Sequence, residues 1–113
     1  MNININKVKI IVTVPPENVD DVREAMCSAG AGIIGNYTNC SMSTKCQGTF
    51  KPNDEANPYI GEINKMEFVE EVKLEMVCDI KNVKKVISSL RKVHPYEEPG
   101  IDIIPLLDEA SFK

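Results

Sequence analysis

The chain has 113 residues, a 42% hydrophobic fraction, and 17 acidic against 13 basic side chains, for a formal net charge of −4. That length and composition describe one globular domain, spanning residues 1–113, that buries ~60–70% of its unfolded surface. The acidic balance leaves no electrostatic footprint for nucleic acid, and no apolar run reaches the ~20 residues of a membrane span.

The first seven residues contain no apolar signal-peptide core, so a cytoplasmic protein is expected. In that compartment Cys27, Cys40, Cys46 and Cys78 are expected as free thiols, and no Cys-x-x-Cys pair is present. Cys27 lies in helix-like sequence and Cys78 ends an apolar strand; both read as small buried hydrophobes.

Lys7 to Val14 is a β-branched run stopped by Pro15 and Pro16, the pattern of a central strand. Pro16 or Asn18 then suits a helix start, with Val19, Val22, Met26 and Ala29 at helical spacing and Gly30 to Gly32 as the stop. Alternation from Gly35 to Thr44 predicts a second strand. Residues 45–65 are rich in turn chemistry and predict a long loop, with a short strand around Thr49 and Phe50 inside it.

Glu67 to Cys78 returns to strand, and the broken alternation at Val69 and Glu70 is consistent with a bulge. Asp79 or Asn82 caps a second helix with Ile80, Val83, Val86, Ile87, Leu90 and Val93 on its apolar face. Lys and Arg residues late in that helix suit its C-terminal dipole, and Pro95 stops it. Ile101 to Leu107 is the last strand, which Pro105 marks as an edge. The order is βαββαβ with a long central loop. It predicts an α+β, ferredoxin-like two-layer sandwich with both helices on one sheet face. Apolar residues on both faces of the strands then favour an oligomer that covers the other.

Several motifs agree in series with a known family. They are Gly30, Gly32 and Gly35; Tyr37, Cys40 and Ser41; Gly48, Phe50 and Pro52; Pro58 and Gly61; Glu71 and Glu75; and His94 through Pro95, Tyr96, Glu97 and Glu98 to Pro99, with Asp102. In order and spacing they resemble the YqfO, or Nif-three-like (NGG1p-interacting factor three), family over about residues 8–107. The resemblance is to its small domain, found alone in short proteins and inserted in longer ones. It implies a fold similar to the PII signal proteins and the CutA divalent-cation tolerance proteins, usually trimers, so a homotrimer is the expected assembly.

The long members are often labelled GTP cyclohydrolase type 2-like and carry a two-metal site built from several histidines in their flanking halves. This chain has one histidine, so the hydrolase label does not transfer. Two departures stand out: Cys46 where relatives usually have glycine, and Gly100 where alanine is usual.

His94 is the sharpest candidate. Either its imidazole bonds backbone and holds the turn, or it contacts a ligand or a divalent metal ion beside Glu97 or Glu98. Cys40 and Cys46 are the second candidate pair, as soft metal ligands. Tyr96 and Pro99 read as packing and turn residues. Adjacent carboxylates in an extended turn diverge, so Glu97 and Glu98 do not form an acid/base pair. The glycines at 30, 32 and 35 follow a helix and lack the helix N-terminus of a phosphate loop. The expected function is a non-enzymatic module binding a small ligand or metal at intersubunit clefts. The alternatives are an accessory protein-interaction domain and, more weakly, a GTP cyclohydrolase-like enzyme.

Overall fold

The computed structural model describes residues 4–112. Lys7–Val14 forms β1, whose alternate residues Val8, Ile10, Val12 and Val14 are all buried on one side. β-branched side chains fit such a pleated, half-covered surface. The other strands are β2 (Met42–Phe50), β3 (Glu67–Asp79) and β4 (Ile101–Leu106), in one antiparallel sheet of order β2-β3-β1-β4. The helices α1 (Val19–Ser28) and α2 (Val83–Val93) pack on the face of β1 that carries Val12 and of β3 that carries Leu74, Met76 and Cys78. This is the predicted two-layer α+β arrangement, with β4 on the edge and its Pro105 opposite Val8.

Val19, Val22, Met26 and Ala29 of the first apolar stripe are buried. Pro16 opens a short 3-10 turn, and Asn18 holds the N-cap position without making a side-chain cap bond. α1 ends in a Schellman motif: the N–H of Ala31 donates to the carbonyl of Met26, and that of Gly30 to Cys27. Gly30 takes φ +114, which its missing side chain permits. In α2, Val86 and Leu90 are fully buried, and Val83 and Ile87 pack against them. Ile80 and Val93, predicted on the same face, stand 44% and 40% exposed, Ile80 because it lies in the 3-10 turn before the helix. Asp79 caps that turn by accepting from the N–H of Lys81, and Asn82 makes no side-chain cap. Cys78 is buried as expected; Cys27 is half-buried against the core.

Two expectations are corrected. The second strand runs from Met42 to Phe50, so most of the predicted 35–44 span is not strand. Gly35 at φ +56 instead closes a tight turn in which Ile34 and Tyr37 exchange both backbone hydrogen bonds, and Asn39 takes φ +59. Turn-forming Thr and Asn residues had mimicked alternation. Nor is there a bulge at Val69 and Glu70. The β2–β3 register is unbroken from Met42 opposite Glu75 to Phe50 opposite Glu67. Alternation fails there because β3 has run past the end of β1, at Val14 opposite Val72, and pairs on with β2.

The β2–β3 ribbon therefore projects beyond the body, in a molecule 52 Å long and 24 to 28 Å across. Residues 51–66 connect its strands and fold back beside the turn that follows α2.

Candidate functional site

The turn at residues 94–100 is fastened to the end of β1 on both sides of Thr13. His94 is extended, φ −73 and ψ 132, as a residue before proline prefers. Its N–H still donates to Leu90, completing the last helical bond. The Nδ1 atom of His94 accepts the N–H of Tyr96 at 3.1 Å, which leaves Nε2 to donate to the Thr13 carbonyl at 2.8 Å. The pair of bonds requires the neutral, Nε2-protonated tautomer. On the other side, Thr13 N–H donates to the Gly100 carbonyl at 3.2 Å. Burial holds the His94 pKa below its ordinary value of 6.5, although the Thr13 carbonyl and Glu71 oppose that shift and Arg91 adds to it.

This turn and the 51–66 connection enclose a cavity of about 530 Å³ between them. Phe50, Pro52, Pro58, Tyr59 and Tyr96 supply its apolar wall. The rings of Tyr59 and Tyr96 lie 6.1 Å apart and tilted, and Tyr96 in turn lies 4.9 Å from the imidazole of His94. The connection has its own internal bonds. Asn53 accepts from the N–H of Glu55, and Asn64 donates to Asp54 from its side chain and to the Pro52 carbonyl from its backbone. Glu97 latches it to the turn: its Oε2 accepts the N–H of Asn57 at 2.8 Å.

At the inner end of the cavity lies Glu71, only 8% exposed although it carries a carboxylate. Both Glu71 Oε2 and Tyr96 Oη are buried without a close hydrogen-bond partner. Burial, with the charge of Glu71 beside it and a loose hydrogen-bonding contact to that carboxylate, pushes the Tyr96 hydroxyl up to about 12, so it remains a donor. Gly48 makes room for the carboxylate, because a Cβ there would overlap Glu71 Oε1. Gly48→Ala should therefore expel Glu71 from its seat and lower the midpoint of chemical denaturation, at about 1–2 kcal/mol of stability. An unchanged midpoint would show that the seat is not tight.

No family model matches the chain. It is 48% identical over 102 residues to a GTP cyclohydrolase 1 type 2 homolog of Halalkalibacterium halodurans, covering 90% of this chain and 27% of that protein. The structure of a Bacillus cereus protein related to NIF3 superposes with a TM-score of 0.79 at 36% identity, covering 94% of this chain and 27% of the other. The chain belongs to the Nif-three-like (YqfO) family. It spans about a quarter of the length of these relatives. The divalent cation tolerance protein CutA from Archaeoglobus fulgidus has the same fold, with a TM-score of 0.66 at 17% identity, covering 88% of this chain and 83% of that one.

Within this Nif-three-like chain the sequence candidates are dispersed. His94 has both ring nitrogens engaged by backbone, Glu97 is the latch, and Glu98 lies at the exposed rim of the cavity. Cys40 Sγ faces the Thr38 carbonyl and Cys46 Sγ the Glu71 carbonyl. Four residue steps along the strand, about 13 Å, separate Met42 from Cys46, so these thiols do not meet in one chain. Among the described residues no three His, Cys, Asp or Glu side chains gather to hold a metal ion. Of the structural glycines, Gly32 and Gly61 take positive φ like Gly30 and Gly35, and Gly61 packs against Glu67 and Phe50.

Sequence reasoning noted Glu71 only as a family position and missed it as a site residue. Its position gives no signal in the sequence, since it falls on the charged side of the strand with Lys73 and Glu75.

Proposed function

We propose that this Nif-three-like chain is a non-enzymatic binding module that assembles as a homotrimer and takes a small ligand in the cavity between the 51–66 connection and the 94–100 turn. The observation that carries this reading is the pair of buried polar atoms, Glu71 Oε2 and Tyr96 Oη, which make no close hydrogen bond among the described residues, at a cavity of about 530 Å³. That volume is of small-molecule size, and an apolar wall with a few converging polar groups is the usual make-up of such sites. A divalent metal ion is the lesser candidate, since its ligands would have to come from more than one subunit. Four unbonded thiols suit a cytoplasmic setting, and among the described residues no helix is long and apolar enough to cross a membrane.

The trimer is supported by the likeness of the fold to CutA and by what the helices leave uncovered. The register places Ile11, Val77, Met42 and Ile104 on the helix-free face, with Met42 67% and Ile104 44% exposed. The projecting ribbon adds Phe68 at 64%. Such surface favours association. Light scattering on the purified chain should give three times its 12.6 kDa mass; a mass of one chain at all concentrations would refute the assembly.

One observation favours a second reading, a protein-interaction domain: the tight turn at Gly35 presents Ile33, Ile34 and Tyr37 exposed on one knob. Co-purification of a partner lost on Tyr37→Ser would favour it. The GTP cyclohydrolase name belongs to relatives of which this chain spans 27%, and we do not extend that chemistry to it.

A further inference from the structure

We infer that the ligand class taken by this cavity is a small organic cation: a protonated amine, guanidinium or amidinium on an apolar or aromatic body, with Glu71 as its counter-ion. The inference rests on the binding-module reading and adds charge and shape to it. A carboxylate taken out of water is costly unless a cation or strong donors meet it. Among the described residues Glu71 has the neutral Tyr96 hydroxyl beside it in a loose contact, and its Oε2 has no close hydrogen bond and no cation. It lies against the cavity rather than against a lysine or arginine, and among the described residues Glu71 makes no ion pair.

The rest of the lining agrees in sign. Glu55, Glu97 and Glu98 also border the cavity, and among the described residues Lys51 is the only lysine or arginine that does. A negative cleft with low-dielectric walls concentrates cations and repels phosphates and carboxylates. The tilted pair Tyr59 and Tyr96 offers ring faces to a cation or a flat aromatic body. The Tyr96 hydroxyl is the second polar contact. It is only loosely paired with the Glu71 carboxylate and makes no close hydrogen bond, so it provides one to a ligand beside the charge. Apolar surface from Phe50 and Pro52 covers the body of such a ligand.

Glu97 ties the turn to the 51–66 connection through Asn57, so a charge-assisted hydrogen bond joins the cavity's two walls beside the Tyr59–Tyr96 contact.

The test uses three flat probes of nearly equal shape, benzamidinium, benzamide and benzoate, titrated into the full ¹⁵N-labelled chain and read by amide shifts. Benzamidinium should shift amides of residues 51–60 and 96–98 and bind at least about tenfold more tightly than benzamide, the gain expected of a charge-assisted bond. Benzoate should not saturate. Glu71→Gln keeps the shape and should erase the preference for benzamidinium over benzamide. Tyr96→Phe should weaken both probes and retain the preference.

Equal binding of benzamidinium and benzamide to the native chain overturns the cation assignment and leaves the cavity as a binding site. Preference for benzoate does the same with the opposite sign. If none of the three shifts those amides, the binding-module reading itself fails. If Glu71→Gln changes the oligomeric mass and the native chain ignores all three probes, a side chain of a second copy fills the place, and the inference is overturned. Because the probe comparison is made on the native chain, a Glu71→Gln protein that failed to fold would not rescue it.

Discussion

His94→Ala is expected to lower stability by about 3 kcal/mol, a fall in Tm on the order of 15 °C. The imidazole is buried and serves two backbone groups at once, accepting from Tyr96 N–H and donating to the Thr13 carbonyl. Its removal orphans both and opens a void beneath the Tyr96 ring, which packs 4.9 Å from it. His94→Gln can replace one of the two bonds and should recover part of the loss. Thermal unfolding followed by circular dichroism decides the matter; a Tm within 3 °C of native, well inside ~1 kcal/mol, would refute the double role.

The same geometry sets a pH dependence. Protonation would turn Nδ1 from acceptor to donor against the Tyr96 N–H, and burial further disfavours the charged ring. The folded-state pKa is thus held below the unfolded value near 6.5. Between those two values the unfolded chain binds the extra proton and the folded chain does not. Stability from this group is therefore fully present above about 6.5 and is lost as pH falls through the window below it. Stability curves of native and His94→Gln protein should converge as pH falls from 7 to 5. Parallel curves would assign the pH dependence to the carboxylates instead.

Gly32→Ala should cost a similar amount, about 3 kcal/mol, for a different reason. Gly32 sits at φ +78, and a Cβ would lie 2.9 Å from both the Cys40 carbonyl oxygen and Met76 Cε. The backbone cannot retreat. Gly32 N–H donates to the Val77 carbonyl at 2.8 Å, and its own carbonyl accepts from Cys40 N–H at 2.8 Å. These bonds extend the ladder beside β3 where its pairing with β2 stops, at Met42 opposite Glu75. Gly35→Ala is the control. With φ +56 and nothing within 4 Å of the added carbon, it should cost only about 1 kcal/mol in the same urea titration. Equal midpoints for the two variants would show that backbone strain alone, and not the close approach, governs Gly32.

The sequence by itself determined β1, both helices, the stop at Pro95, the edge strand with Pro105 and the two-layer order. Each of these is written in local chemistry. Val8, Ile10, Val12 and Val14 alternate at period two, Val22 and Met26 repeat at helical spacing, and proline and glycine punctuate the ends. Family motifs in series identified the family for the same reason, since they are local strings.

Tertiary structure alone decided where β2 begins, because the Thr and Asn residues before Met42 satisfy alternation yet are used in turns. It decided that His94 spends both nitrogens on backbone, since Thr13 lies 81 residues away in sequence. Above all it decided the site. Glu71 and Tyr96 are 25 positions apart, on a strand and a turn, and neither is unusual in its own segment. They meet because β3 outruns β1, and the turn after α2 and the 51–66 connection fold over the part that extends beyond it. Burial of a charge is a property of what closes over it, and that closure involves contacts which no periodicity along the chain records.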